Sequence, residues 1–188
     1  MARILFAAIS ICLLTYATAA QTTRPASTRP ATPASAAGPM ASGIEVSIVS
    51  TKFEYLALRK HNFDGTVDDL ASNEILFVIR LKIMNKGQKD VAYQSFNGTP
   101  NKNGASLLDS NKKYLAQAAF GELEAVGITK SATIKPAESV DDLLAFAPPA
   151  AGVKSAVLFL PARNHGDSGV WKMEVKIDDD TREPAKAK

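Results

Sequence analysis

Two histidines, one cysteine and 19 acidic residues are the side chains from which a reactive centre could be assembled in this chain of 188 residues. Covalent catalysis needs a nucleophile, a base within hydrogen-bond reach and a group that orients the base. The lone cysteine, Cys12, sits in an apolar N-terminal run, so a chain processed behind that run keeps no thiol. No serine stands in a Gly-x-Ser-x-Gly elbow. His61 and His165 are about a hundred positions apart in polar stretches and read as solvated loop histidines. A zinc ion shared between them would need two more ligands at tetrahedral geometry, and no spacing supplies them. There is neither a P-loop nor a dinucleotide fingerprint. Paired carboxylates for glycoside hydrolysis are a matter of spatial separation, and no local signature marks such a pair. The expectation is a protein without catalytic residues, metal ligands or a cofactor.

Calcium takes oxygen ligands, which draws attention to three acidic groups: Asp64, Asp68 and Asp69; Asp141 and Asp142; and Asp178, Asp179 and Asp180. None has EF-hand spacing, and they read as solvated acidic loops. Two polar stretches are candidate recognition loops, because loops on a rigid scaffold carry much of a protein's binding. One runs from Lys60 to Glu74 and includes Phe63. The other runs from Phe96 to Gly104 and holds three asparagines. The candidate binding residues are Phe63, Asp64, Asp68, Asp69, Phe96 and Asn97, and the expected partner is an envelope or extracellular protein.

These residues need elements to position them. An apolar content of 46% with 22% charged residues is ordinary for a globular protein and argues against disorder along the full length. Residues 1–20 read as a secretory signal peptide: Arg3, an apolar core from Ile4 to Leu14, and the small-x-small site Ala17-Thr18-Ala19. Once it is cleaved, no membrane span is expected. Residues 21–43 hold four of the ten prolines among Ala, Thr and Ser, and repeat Thr-Arg-Pro at 23–25 and 28–30. Such a composition buries too little apolar surface to offset ordering, so it reads as a disordered linker. The three cations in excess, Arg3, Arg24 and Arg29, all precede Ile44. The remainder is formally neutral, whereas nucleic-acid binding calls for a basic patch on the folded part. No nucleic-acid partner is expected.

From Ile44 to Ile177 the punctuation is that of an all-β domain, with a charged flexible tail over residues 178–188. Ile44 to Ile48 alternates apolar and polar. Ile75, Phe77, Ile79, Leu81 and Ile83 occupy every second position, while the opposite face starts with Leu76 and Val78 and turns charged at Arg80 and Lys82. That pattern predicts a central strand whose first half is covered on both faces. Trp171, Met173, Val175 and Ile177 alternate with Lys172, Glu174 and Lys176 in the last strand. Seven to eight antiparallel strands in such a span predict a sandwich. Pro136 to Leu144 fits either a helix capped by Ser139 or a turn leading into a strand that ends at Phe146.

Several of these residues together resemble a family. They are Met84-Asn85-Lys86-Gly87, the Tyr93 strand, Leu107-Leu108-Asp109 followed by Tyr114, and Ile134-Lys135-Pro136 leading to Leu144-Ala145-Phe146. The stretch is similar to secreted bacterial immunoglobulin-like domains of unknown function, found on lipoproteins and in a mycobacterial secreted antigen. The resemblance implies an immunoglobulin-like β-sandwich outside the cytoplasm, transfers no catalytic residue, and favours a strand over Leu143–Phe146. The chain departs from the pattern at Ala137, where such domains often have Gly, and in the long polar stretch from Lys60 to Glu74. The expected role is a non-catalytic interaction module that is periplasmic, cell-surface or secreted. A passive structural or stress-related envelope protein, or a secreted carbohydrate-active or metal-dependent enzyme, are the alternatives left open.

Overall fold

The alternating segments become strands in the computed structural model, which describes residues 43–99 and 102–178. The signal peptide, nearly all of the linker, and the tail beyond Asp178 lie outside the described residues. In chain order the strands are β1 (Ile44–Glu54), β2 (Ala57–His61), β3 (Val67–Ala71), β4 (Leu76–Asn85), β5 (Val91–Gln94) and β6 (Ser106–Asp109). They continue with β7 (Tyr114–Leu115), β8 (Glu124–Ala125), β9 (Ser131–Ile134), β10 (Ser139–Phe146), β11 (Ser155–Pro161) and β12 (Val170–Lys176). The only helical element among the described residues is a 3-10 turn over Ala162–His165.

β4 is central, with β1 and β10 antiparallel on its two sides. β11 runs between β12 and β6, and β7 extends that sheet beyond β6. The two sheets face each other across one apolar core. Val46, Ile79, Leu81 and Leu144 from the first meet Leu107, Leu158, Trp171 and Val175 from the second, with Tyr93 and Ile134 contributed by the β5–β9 pair. The orders β1-β4-β10 and β6-β11-β12 correspond to strands A-B-E and C-F-G of an immunoglobulin-type sandwich. The fold is thus an all-β antiparallel sandwich.

As the alternation predicts, β4 is covered on both faces at its start. Leu76 and Val78, with Leu143 and Ala145 of β10, form a second apolar cluster with Leu56, Leu58 and Ala125. Further along the same face Arg80 pairs with Glu54, and Lys82 is exposed. Leu143–Phe146 is strand, which resolves the helix alternative. The turn before it places Ala137 at φ 64°, the left-handed region that glycine enters without penalty. Asn85 ends β4 fully buried. Its Nδ2 donates to the Lys89 and Ile134 carbonyls, both at 2.8 Å, and its Oδ1 accepts from Gly87 N at 2.9 Å.

Two expectations are corrected. Among the described residues there are twelve strands where seven to eight are expected, because two-residue strands such as β7 and β8 are too short to show alternation. The stretch from Lys60 to Glu74 is not a long loop. Most of it is the β2–β3 hairpin, with Arg59 opposite Asp69 and Lys60 opposite Asp68. Every residue of β3 is exposed, so no apolar alternation is required and the sequence reads as polar coil.

Candidate functional site

A carboxylate inside the sandwich organises one end of it. Asp142 on β10 is 1% exposed. Its Oδ2 accepts from the Tyr93 hydroxyl at 2.5 Å and the Ser95 hydroxyl at 2.8 Å. Its Oδ1 accepts from the backbone N–H of Leu143 at 2.8 Å and of Thr129 at 3.1 Å. Burial lifts the Asp142 carboxyl above the ordinary carboxylate value, against the pull of these donors. Burial, and then the Asp142 charge, push the Tyr93 phenol upward. Asp142 is therefore not the solvated loop residue that the sequence suggests.

This network fixes the loop that follows β5. Asn97 Nδ2 donates to the Leu143 carbonyl at 2.6 Å, and Gln117 Nε2 reaches the Phe96 carbonyl at 3.2 Å and Asn97 Oδ1 at 3.1 Å. From the 3-10 turn, buried Asn164 donates to the carbonyls of Ser95 and Asn103, both at 2.9 Å. Within the loop, a Cβ on Gly104 would overlap the Gly98 carbonyl, and one on Gly98 would overlap the Asn103 side chain. Both Asn-Gly pairs thus mark a close approach of two loop limbs, not only a turn.

The pinned loop forms one wall of a groove of about 590 Å³ on the outer face of the β12-β11-β6-β7 sheet. Outward-facing positions of the strands make its floor. Phe159 lies between the inward Leu158 and Leu160, Tyr114 is 64% exposed and Val170 is 53% exposed. Lys102 from the loop and Arg163 from the 3-10 turn line it, and neither has an ion-pair partner among the described residues. Lys172 stands 5.8 Å from the centre of the Phe159 ring. Among the described residues, no Asp, Glu, His or Cys lines the groove. Its volume is in the range of small-ligand and peptide sites. Its chemistry suits an apolar group carrying a negative charge.

The residues singled out from sequence fall in different places. Phe63 and Asp64 are at the tip of the β2–β3 hairpin, with Phe63 fully exposed, and Asp68 and Asp69 lie on β3. Asn97 is half-buried in the Asp142 network. Phe96 is a correction: it is wholly buried, edge-on to Tyr93 with ring centres 5.6 Å apart, and presents nothing to a partner. It sits in the loop by sequence but faces inward because the network pulls its neighbours Ser95 and Asn97 onto β10. No three His, Cys, Asp or Glu side chains converge among the described residues. Sequence reasoning missed the groove. Its available signal was the apolar outward positions Phe159 and Val170 on strands whose inward faces were already filled.

His61 is exposed and bonded to Glu124 at 3.0 Å. His165 is a further correction. Its ring is buried, stacked near Trp171 with ring centres 4.5 Å apart. Neither ring nitrogen has a hydrogen bond among the described residues, and Nδ1 is 3.7 Å from Asp167 Oδ2. Burial pulls the imidazole below its ordinary value of 6.5, and Asp167 partly offsets this. The neutral ring is therefore favoured by folding. Its contribution is intact above pH 6.5 and is lost as pH falls through the lowered folded value. Melting temperatures measured between pH 7.5 and 5 should decline toward acid, and His165→Leu should flatten that decline. An equal decline in the variant would assign it to other groups.

Fold and site together define an all-β sandwich with a cationic, apolar-floored groove on one outer face. No family model and no curated protein matches the chain. Among solved structures it is similar to the yjhA protein from Bacillus subtilis, at 16% identity and a TM-score of 0.44, covering 74% of this chain and 94% of that one. It is also similar to a candidate lipoprotein, ycdA, of Bacillus subtilis subsp. subtilis str. 168, at 14% identity and a TM-score of 0.49. That match covers 74% of this chain but 38% of the other. A third similarity is to an uncharacterized beta-sandwich protein from Clostridium difficile 630, at 13% identity and a TM-score of 0.38, covering 73% and 88%. No helix among the described residues is long and apolar enough to cross a membrane.

Proposed function

We propose that the chain is an exported, non-catalytic interaction module that binds through the groove on the β12-β11-β6-β7 sheet. One observation carries this reading: an apolar floor beside two cations without an ion-pair partner among the described residues, held on strands and on a loop braced by a buried network. A surface built so rigidly binds with little ordering cost. The leader pattern of residues 1–20 supports export, and the linker composition supports a spacer between the domain and its point of attachment.

The test is crosslinking in the native envelope, with the chain carrying Lys102→Glu and Arg163→Glu beside the unaltered chain. Crosslinks that concentrate on the groove and vanish in the double variant are the expected result. Equal crosslinking by both chains would sink the groove as the binding surface, and recovery of the unaltered chain in the cytoplasm would sink export.

A further inference from the structure

We propose that the groove's occupant is a second copy of this chain, docked by its β2–β3 hairpin tip: Phe63 on the apolar floor and Asp64 against Lys102 and Arg163. The inference rests on the groove being a binding surface, as read above. Among the described residues Phe63, at the tip, is the most exposed large apolar side chain. The tip is also preorganised. Asn62 N donates to the Thr66 carbonyl at 2.9 Å and Gly65 N to the Asn62 carbonyl at 3.1 Å. Asp64 Oδ1 accepts from Thr66 N at 2.9 Å and from the Thr66 hydroxyl at 2.7 Å, which holds the exposed carboxylate in one orientation. Asn62 Nδ2 closes the turn on Asp68 Oδ2 at 2.9 Å.

Charge matches between the two surfaces. Within residues 62–66 Asp64 is the only charged side chain, whereas among the described residues the groove lining holds two cations and no acid. A ring with a neighbouring carboxylate is the ligand chemistry the groove fits, and the hairpin tip supplies both in consecutive residues. Ring burial supplies affinity at such a contact, and the charge pair sets register and partner choice.

The topology decides what assembly follows. The hairpin base packs through Leu56 and Leu58 on the outer face of the β1-β4-β10 sheet. The groove lies on the outer face of the opposite sheet. The tip belongs to the layer over one sheet and the groove to the other sheet, so a tip-in-groove contact joins two unlike patches. The contact is heterologous and adds copies head to tail.

Sedimentation velocity of the full exported chain over a concentration series tests this. The sedimentation coefficient should rise with concentration, and Phe63→Ser should weaken the association by at least ~10-fold. The Lys102→Glu, Arg163→Glu double variant should do the same. All three side chains are exposed, so unchanged melting temperatures will show that the variants fold. The deciding sample is a 1:1 mixture of the two variants. One keeps an intact groove and the other an intact tip, so they should form dimers that grow no further. An unaltered chain that stays monomeric, a Phe63→Ser variant that associates normally, or a mixture that stays monomeric would each overturn self-docking. A monomeric chain whose envelope crosslinks still require Lys102 and Arg163 would overturn self-docking alone and leave the groove serving another partner.

Discussion

Replacing Asp142 by alanine is expected to cost about 4 kcal/mol of folding stability, read as a lowered urea midpoint. The Tyr93 and Ser95 hydroxyls and the backbone N–H groups of Leu143 and Thr129 all donate to this carboxylate. Alanine leaves them inside the protein without an acceptor, and each buried unsatisfied group costs about 1–3 kcal/mol. Some donors will turn to water, which keeps the expected sum below the simple total. Asp142→Asn is the control. Its amide oxygen can still accept from the two backbone N–H groups, and the Tyr93 hydroxyl can rotate to accept from its NH2, whereas Ser95 Oγ already accepts from Asn97 N and Nδ2, so a loss of about 2–3 kcal/mol, smaller than for alanine, is expected. A loss below about 1 kcal/mol for Asp142→Ala would show that the network carries little stability.

The pH dependence of the pair has a definite sign. Burial raises the folded Asp142 carboxyl above its ordinary 3.8. Its ionisation is therefore disfavoured by folding, and the associated stability, present below pH 3.8, is lost as pH rises through the folded value. The asparagine variant does not titrate there. Its deficit against the unaltered chain should shrink between acid and neutral pH. This is opposite to the His165 effect, in which stability falls as pH drops from neutrality.

Phe96→Ala should lose about 4 kcal/mol, the usual range for removing a fully buried phenylalanine ring. The ring packs edge-on against Tyr93, and Tyr93 in turn donates to Asp142. The Phe96→Ala and Asp142→Ala effects should therefore be non-additive when combined. Urea unfolding separates this from a surface role. Phe63→Ser, at a fully exposed position, should leave the midpoint unchanged. A Phe96→Ala chain of unaltered stability would mean that the ring does not fill the core. Because Ser95, Phe96 and Asn97 begin the loop that carries Lys102, loosening either Asp142 or Phe96 should also weaken whatever the groove binds.

What the sequence by itself determined is the part encoded in neighbouring residues. Period-two alternation is local, so β1, β4 and β12 and the all-β class were legible from it. So was the two-sided burial at the start of β4, because Leu76 and Val78 break the polar side of the alternation. Ala137 and Asn85 lie in turns whose chemistry is also local. The short strands and the exposed β3 were not legible, because a strand with no buried face needs no pattern. Nor was the interior position of Asp142, Phe96 and His165. Asp142 is buried because Tyr93, 49 residues earlier, is brought against it by the pairing of distant strands. The groove arises in the same way: Lys102, Tyr114, Phe159 and Arg163 meet only when the sheet of β6, β7, β11 and β12 assembles. A strand's sequence records which side of it is apolar, but what will cover that side, and which polar groups will be enclosed with it, is decided by contacts between segments far apart in the chain.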